Sequence, residues 1–467
     1  MDILHYRKEN TRFGDTFPLW ADGVYHLYYL RYDEEIKTQV WAHLSSRDLI
    51  CWEEQPNLLE PLGKGSEETS LLTGCVYYED GVYHAFYPAR SSDRRCHIKK
   101  AISSDGISFC RQGRELFEID PRYSDDGTWR DPCVVKDAES GEYHMYFCAK
   151  RPIVEGDAFP GVLAHATSKD LENWTLEDSA WGGGAGTTVE CPDLIKLDGR
   201  DVLVYYWHDT RVRVFDGKSY RRVRTLSPAG FDFMAGKTLT ANGRVLLFGW
   251  IPEKTCDCCE RIWGGNLAIP RELYLEDGEP CCRFMDEIYS LFDRDCSRLS
   301  AEKFSFVRGD WTRDGNTLRA DAEREGAIAY LTEAEDDYYF STNLTVEDDC
   351  GEIGFLFRTN RDESRKYSAE NDLGYIVSLD LSENRLSLRE HYLWDQRPEL
   401  AGASLRLEKG KSFFFEMIVH KDIVEIGLDR KKTLSFRMKK HTSAGAFSIY
   451  AQDCRVTFGD LTAKTKG

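Results

Sequence analysis

Three acidic residues stand just ahead of aromatic, apolar runs that are typical of buried β-strands. They are Asp15 in RFGDTFP, Asp131 in WRDPCVV and Glu190 in TVECPDL. Carboxyl groups that share a pocket repel each other and burial disfavours their charge, so at least one is expected to hold its proton. A protonated acid beside an ionised one is what cleavage of a glycosidic bond requires. We therefore expect these side chains to form a sugar-cleaving site.

The elements that would bring the acids together are repeated along the chain. A turn followed by a strand, DGVYHLYYL in its first copy, returns with its glycine at positions 23, 81, 141, 199 and 243. Asp-Gly or Asn-Gly ahead of a β-prone run predicts a tight hairpin, because both residues accept a positive φ. The acids lie eight, ten and nine residues before the first, third and fourth glycines. These similar offsets predict equivalent positions in equivalent units.

A second motif alternates with the first and completes each unit. Its copies WAHLSSRDLICW, KKAISSDGISF and LAHATSKDLENW each read as a strand, a serine-rich turn and an aromatic strand. Each unit therefore holds four short strands. Five such units predict an all-β fold, a five-bladed β-propeller over residues 1–292, in which the first strand of each blade lines one central axis.

The pattern changes near residue 300. Long alternating strands such as YYFSTNLTVED and SFFFEMIVHKDIVEIGLD, separated by Asn, Gly or Asp turns, are typical of a β-sandwich. We predict a C-terminal β-sandwich domain over residues 304–467 and a polar connector at 293–303, and any homo-oligomer is expected to form through the sandwich.

The composition excludes several classes of partner. A formal net charge of −19 over 467 residues repels nucleic acid and anionic membranes, and no apolar run is long enough for a transmembrane helix. The first residues lack the apolar core of a signal peptide and the fifteen cysteines fit reduced thiols, which predicts a cytoplasmic protein. Cys256 and Cys259 have a C-x-x-C spacing, but the nearby Cys281 and Cys282 are adjacent, which suits one zinc ion badly. We expect no metal and no cofactor.

Several motifs together resemble glycoside hydrolase family 32, the β-fructosidases. WRDPCVV and TVECPDL resemble the family's Arg-Asp-Pro and Glu-Cys motifs, and FDFMAGKTL and WGGNLAIPREL resemble its later blades. The resemblance runs from about residue 10 to 290 and implies a propeller with a C-terminal sandwich. It implies that Asp15 is the nucleophile that forms a covalent fructosyl-enzyme, and that Glu190 is first the acid and then the base. Asp131 would hold sugar hydroxyls with Arg130 positioning it, and the Asp15 and Glu190 carboxyls would lie about 5–5.5 Å apart.

The first motif departs from the family's pattern. Family members have Trp-Met-Asn-Asp-Pro-Asn-Gly where this chain has RFGDTFP, Leu30 replaces a glutamine, and Thr73 replaces a serine. A site that loses hydrogen-bond partners for substrate hydroxyls discriminates differently among sugars. The sequence therefore leaves the substrate open between sucrose, an unusual fructoside and another furanoside. Thr73 is a substrate-binding candidate. Aromatic faces bind sugar C–H groups, and at most two of four tryptophans are expected to do so: Trp20, Trp129, Trp207 and Trp263.

The leading hypothesis is a retaining hydrolase of β-fructofuranosides that acts on a small carbohydrate such as sucrose or a fructo-oligosaccharide. One alternative is an inverting arabinosidase or xylosidase, because the neighbouring five-bladed families also use two aspartates and a glutamate. The other is a carbohydrate-binding protein without activity, which the altered first motif favours. The presence of all three acids argues against it, because a binding protein needs no buried proton donor.

Overall fold

The computed structural model describes residues 1–467 except 119, 125–126, 183–185, 217–219, 223–228, 231, 255–259, 325, 360–373, 392–398, 405–406 and 439–444. The described residues form 38 β-strands and two short 3-10 helices, so the prediction of an all-β chain is confirmed. Within these residues, no helix is both long and apolar enough to cross a membrane.

The chain divides into two compact units. The first comprises Met1–Ser227, Phe233–Glu253 and Arg261–Pro280. The second comprises Pro228–Asp232, Lys254–Glu260 and Cys281–Gly467. The main run of the second unit thus begins ahead of the polar segment 293–303, where the change of pattern places the connector.

The first 23 strands lie in four antiparallel sheets, among the residues that are described. One sheet holds β1 (Thr11–Ala21), β2 (Val24–Asp33), β3 (Thr38–Ser46), β4 (Trp52–Leu59), β19 (Met234–Ala241), β20 (Arg244–Lys254), β21 (Arg261–Leu267), β22 (Arg271–Glu276) and β23 (Glu279–Phe284). The second holds β5 (Ser70–Leu71), β6 (Cys75–Glu79), β7 (Val82–Arg90), β8 (Cys96–Ser103) and β9 (Cys110–Glu115). The third holds β10 (Arg130–Lys136), β11 (Tyr143–Lys150), β12 (Gly161–Ser168), β13 (Trp174–Leu176) and β14 (Trp181–Gly182). The fourth holds β15 (Glu190–Leu197), β16 (Arg200–Trp207), β17 (Asp209–Phe215) and β18 (Tyr220–Arg222).

The predicted hairpins are present. In the first, Ala21 pairs with Val24 around Asp22 and Gly23, whose φ values of 49° and 75° belong to a tight turn of type I′. The same two-residue turn joins β6 to β7, β15 to β16 and β19 to β20. The third copy differs, because the turn between β10 and β11 is longer and contains Gly141.

The first strands of successive units lie side by side. β1 contacts β6, β6 contacts β10, β10 contacts β15, β15 contacts β19, and β19 contacts β1 again. Residues at the start of each of these strands are therefore brought to a common region although they are distant in sequence.

The second unit contains two antiparallel sheets that face each other. One holds β24 (Arg294–Asp295), β26 (Asp310–Asp314), β27 (Thr317–Asp321), β29 (Tyr338–Val346), β34 (Ser412–His420), β35 (Ile423–Leu428), β36 (Lys432–Arg437) and β38 (Arg455–Thr465). The other holds β25 (Ser305–Arg308), β28 (Ala327–Leu331), β30 (Glu352–Thr359), β31 (Gly374–Asp380), β32 (Arg385–His391), β33 (Glu399–Ser404) and β37 (Ala446–Gln452). Phe355 and Phe415 come from opposite sheets and stack with ring centroids 4.3 Å apart inside one apolar core. Of the 3-10 helices, Asp286–Leu291 precedes β24, and Ala301–Lys303 lies between β24 and β25.

Candidate active site

Four of the first strands carry a β-bulge at the end where the acids lie. The register shifts between Phe13 and Thr16 in β1, Arg130 and Cys133 in β10, Glu190 and Asp193 in β15, and Met234 and Lys237 in β19. Asp131 and Cys191 adopt φ values of 57° and 46° within their bulges, a conformation that is unfavourable for residues other than glycine. Bulges redirect side chains and are frequent beside active sites.

The three acids occupy successive positions around this bulge. Glu190 is the last paired residue before it, Asp131 is its first residue, and Asp15 is its second. The expectation that similar offsets mean equivalent positions is therefore wrong in detail. The hairpin glycine fixes how far along the strand a residue lies, but the bulge decides which of three neighbouring side chains turns toward the common region.

Cys191 and Arg130 link the three carboxylates. The Cys191 N–H donates to Asp131 Oδ2 at 2.9 Å, and its Sγ lies 3.8 Å from that oxygen and 4.0 Å from Asp15 Oδ2. Arg130 Nη2 donates to Glu190 Oε1 at 2.7 Å, while its Nε lies 3.6 Å from Asp131 Oδ2. The acids are thus gathered at one site, together with the predicted Arg130.

Asp15 is held by donors from two other parts of the chain. The Thr73 hydroxyl donates to Asp15 Oδ2 at 2.5 Å, and Trp250 Nε1 donates to Oδ1 at 2.8 Å. Trp250 packs edge-on against Trp263 with ring centroids 5.8 Å apart, and a Cβ at Gly14 would stand only 2.4 Å from the Trp263 ring. The close approach of Trp263 explains why this chain has glycine where the family pattern has asparagine. Thr73 is buried, so its hydroxyl serves the carboxylate of Asp15.

Trp207 lies at the edge of the site. It follows Tyr206, which pairs directly with Glu190 across the sheet, and its ring stands under the Arg211 guanidinium at 4.3 Å. The expectation that Trp207 contacts the substrate therefore stays a prediction, as does the same expectation for Trp263.

Trp129 and Trp20 do not lie where a sugar would be held. Trp129 is 3% exposed and packs between Tyr123 and Phe147 in an apolar cluster, so neither face of its ring is open. Trp20 packs against Tyr25 with the two rings tilted, near the hairpin and about 16 Å along β1 from Asp15 at the usual rise of a strand. Both are corrected from candidate substrate contacts to packing residues.

Burial dominates the electrostatics of the site. It raises the pKa of Asp15 to about 6, the Asp131 and Glu190 charges add to the rise, and the Thr73 and Trp250 hydrogen bonds oppose it. Burial also raises the pKa of Asp131, against the lowering effect of Arg130. The prediction that a carboxyl of this group titrates above its ordinary range thus applies to the two aspartates.

Cys191 touches two of the acids but is not a nucleophile. Burial and then the Asp131 charge raise the pKa of its thiol well above the ordinary value, so the sulfur stays protonated. A neutral thiol is a poor nucleophile, and the contribution of this residue is the N–H that fixes Asp131.

Sequence reasoning missed Trp250 and Tyr206 as site residues. Each pairs with the residue just before a bulge, Trp250 with Met234 and Tyr206 with Glu190. The repeat copy VLLFGW ends at Trp250, and Tyr206 is the residue before the end of the copy VLVYYW. Comparing the ends of the second strands, as well as the starts of the first, is the signal that points to this region.

The described residues contain no group of three or more His, Cys, Asp or Glu side chains that is suited to a metal ion. Cys256 and Cys259 lie outside the described residues, while Cys281 and Cys282 are buried in the second unit.

Replacing Thr73 by valine is expected to move the acid limb of activity to higher pH. Because Asp15 must be ionised to attack, kcat/KM of the wild type should fall as the pH drops through about 6. Thr73→Val keeps the shape of the side chain but removes the hydroxyl that stabilises ionised Asp15. We expect the limb to rise by about one pH unit and kcat/KM at pH 6 to fall about fivefold, measured as a pH profile.

Thr73→Ser is the matched control, since it keeps the hydroxyl and loses one methyl group. Its acid limb should stay with that of the wild type. An unshifted limb in a folded Thr73→Val protein would contradict the role given to this hydrogen bond.

A family model named the glycosyl hydrolases family 32 N-terminal domain matches residues 16–282. The chain is 26% identical over 296 residues to the sucrose-6-phosphate hydrolase of Bacillus subtilis, covering 55% of this chain and 59% of that protein. It is 24% identical over 324 residues to the raffinose invertase of Escherichia coli, covering 62% of this chain and 65% of that protein. The match therefore spans less than two thirds of the length of these curated relatives.

Solved structures match over the whole chain. A GH32 β-fructofuranosidase from Bombyx mori has a TM-score of 0.70 at 18% identity, covering 100% of this chain and 94% of that one. The exo-inulinase of Aspergillus awamori has a TM-score of 0.73 at 17% identity, covering 100% and 98%. At this identity the likeness shows the fold, a β-propeller with a β-sandwich.

Proposed function

The chain belongs to glycosyl hydrolase family 32, and from that premise we propose that it hydrolyses β-fructofuranosides by a retaining double displacement. The relatives are named sucrose-6-phosphate hydrolase and raffinose invertase, which supports a substrate with a terminal fructosyl unit. The observation that carries the proposal is the joining of Asp15, Asp131 and Glu190 through Cys191 and Arg130.

In the first step, ionised Asp15 attacks the anomeric carbon of fructose and Glu190 gives its proton to the departing oxygen. The bond to the leaving group breaks, and an ester between fructose and Asp15 forms. In the second step, Glu190 takes a proton from water, the water oxygen attacks the same carbon, and Asp15 leaves as a carboxylate. Two inversions give net retention, with the two carboxyls about 5–5.5 Å apart.

The remaining groups orient the reacting ones. The Thr73 and Trp250 donors fix both oxygens of Asp15, which sets the direction of attack. Asp131 accepts hydrogen bonds from sugar hydroxyls and stabilises the positive charge that develops on the ring, with Arg130 positioning its carboxylate. Trp263 and Trp207 offer rings for the C–H faces of the sugar.

Cationic side chains near Tyr206 favour an anionic leaving group. Burial raises the pKa of the Tyr206 hydroxyl, which also feels the charges of Arg261, Glu190 and Asp15. Arg261 Nη1 donates to the His208 carbonyl oxygen in the β16–β17 turn, and Arg211 Nε donates to Asp209 Oδ1. Two guanidinium groups at this turn, together with the sucrose-6-phosphate hydrolase among the relatives, support a phosphorylated glucose as the leaving group.

A hydrolysis screen tests the proposed function. Sucrose, sucrose-6-phosphate, inulin, levan and aryl furanosides are offered to the wild type and to Asp15→Ala, and the anomer released first is read by NMR. We expect release of β-fructose by the wild type alone, with the highest kcat/KM for the phosphorylated disaccharide. Release of the inverted anomer, or sugar binding without cleavage, would overturn it in favour of an inverting enzyme or a binding protein.

We also propose a number of blades and a set of domain bounds, which the likeness to known structures does not give. The cyclic contacts among β1, β6, β10, β15 and β19 support five blades. We keep 1–292 as the propeller, 293–303 as the connector and 304–467 as the sandwich, through which any homo-oligomer would form. The twelve described cysteines form no disulfide with one another, which supports a cytoplasmic location.

A further inference from the structure

A set of side chains follows the acids along the first strands, all of them buried except the half-buried Asp193. Four members of the set are the first paired residue after a bulge, and the fifth is the first residue of β6. We call this set the axial layer: Thr16, Cys75, Cys133, Asp193 and Lys237. The proposed chemistry uses none of these residues, although one of them is a buried amine.

Lys237 is the cation of the axial layer. It is 2% exposed, and its Nζ donates to the carbonyl oxygen of Pro132 at 3.1 Å. Pro132 is the second residue of the bulge in β10, directly after Asp131 with its φ of 57°. In the cyclic contact order β15 stands between β10 and β19, so this bond ties two strands that are not neighbours. An unfavourable backbone conformation persists only where surrounding contacts hold it, and Lys237 supplies one.

Asp193 and Thr238 hold the strand that carries Lys237. The Thr238 N–H and hydroxyl each donate to Asp193 Oδ2 at 2.7 Å, which joins β15 to β19. Burial lowers the pKa of Lys237, but the Asp193 charge raises it, and the pKa stays above its ordinary value. The amine therefore carries a permanent positive charge.

This charge acts on the acids. The Lys237 charge lowers the pKa of Asp131 and of the Cys191 thiol, against the larger effect of burial. In a buried site such an interaction is weakly screened by solvent. The charged and titratable groups that face Asp131 are Arg130, Glu190, Cys191, Lys237, Asp15, Cys96 and Cys148.

We propose that Lys237 is a positioning residue for the reaction, which fixes the Asp131 bulge through the Pro132 carbonyl and supplies a fixed positive charge to the carboxylate cluster. The inference rests on the proposed function for its kinetic consequence only. Asp131 accepts hydrogen bonds from sugar hydroxyls through both oxygens and stabilises the developing positive charge only when it is ionised and correctly turned, and Lys237 serves both conditions. Arg130 acts on Asp131 from the same strand, and Lys237 acts from β19.

Three variants separate the two roles. Lys237→Met removes both the donor and the charge, Lys237→Gln keeps a donor for Pro132 without the charge, and Lys237→Arg keeps the charge. The matched control is Lys100→Met, because Lys100 is equally buried, donates to the Leu171 carbonyl at 3.1 Å and pairs with Glu172, away from the acids. All are assayed as full chains for stability, kcat, KM and pH profile, and the Asp131 carboxyl is titrated by carbon-13 NMR.

We expect Lys237→Met to lower kcat/KM about 10- to 100-fold and to raise the acid limb, because activity requires ionised Asp131 as well as ionised Asp15. Lys237→Gln should show the same shift of the limb with a smaller loss of kcat, and Lys237→Arg should keep the wild-type limb. Lys100→Met should lose stability and keep the wild-type profile. If Lys237→Met does not fold, the glutamine variant decides.

An unchanged acid limb and an unchanged Asp131 titration in a folded Lys237→Met or Lys237→Gln protein would overturn the inference. If the wild type cleaves no fructoside, the proposed function fails separately. The NMR titration of Asp131 then decides whether Lys237 acts on this carboxyl, because it needs no substrate.

Discussion

Asp15→Asn should abolish fructoside hydrolysis and at the same time raise the free energy of unfolding at neutral pH. The loss of activity, about 10⁴-fold or more in kcat, follows because an amide cannot form the fructosyl ester. The amide has nearly the shape of the acid, and the Trp250 and Thr73 groups can still form hydrogen bonds with it. Only the charge is removed, from a half-buried position.

The gain in stability follows from the raised pKa of Asp15. The folded value of about 6 lies above the ordinary 3.8, so the folded state binds the proton more tightly than the unfolded state does. The free energy of unfolding therefore falls as the pH rises from about 4 to 6, and ionised Asp15 costs about 3 kcal/mol at pH 7. Asp15→Asn avoids this cost at pH 7 and shows little difference from the wild type near pH 4.

Denaturant unfolding at both pH values, with the first unit followed separately, measures this difference. The matched control is Asp170→Asn, because Asp170 is exposed and accepts the backbone N–H groups of Glu172 and Asn173, which hold its pKa below the ordinary value. Its replacement should lower the stability at pH 7, the opposite sign. Equal stability of Asp15→Asn and wild type at pH 7 would show that ionised Asp15 carries no cost.

The hairpins could be predicted because their signal is local. Asp22–Gly23 and Asn242–Gly243 need positive φ values, which few residue pairs accept, and the structure has them there. The residue at which the first unit ends is harder to predict from the sequence. The main run of the second unit begins at Cys281, and contacts between residues distant in sequence set that boundary, not the local polarity that marks 293–303.

The acids could be found from the sequence because each stands at the start of a repeated strand. The convergence of the three side chains could not be predicted. It depends on bulges and on the left-handed backbone of Asp131 and Cys191, and the residue types at these positions do not indicate either feature. Trp129 shows the same limit. It lies one residue from Arg130, yet faces the apolar cluster, because a shift of one position exchanges the two sides of a strand.

Glu190→Gln should slow the hydrolysis of sucrose far more than it slows the release of a good leaving group. Arg130 Nη2 at 2.7 Å and the Thr188 hydroxyl at 3.1 Å both donate to Glu190 Oε1, and a glutamine oxygen accepts the same two bonds. The variant therefore keeps its geometry and loses only the proton that the leaving oxygen needs. We expect kcat on sucrose to fall by about 10³- to 10⁴-fold, whereas the first step with an aryl fructoside, whose phenolate departs without help, should change little.

The variant also lacks the base for the second step, so the aryl substrate should give a burst of phenol and then stall as a fructosyl ester. Mass spectrometry of the quenched protein measures this, with one fructosyl unit added to the peptide that carries Asp15. The double variant Asp15→Asn, Glu190→Gln should give neither burst nor adduct. Equal losses on both substrates would remove Glu190 from the role of acid, and an adduct on another peptide would remove Asp15 from the role of nucleophile. A burst confined to the single variant, with the ester on Asp15, would assign both carboxylates in one experiment, because only a retaining mechanism stores the sugar on the protein between the two steps.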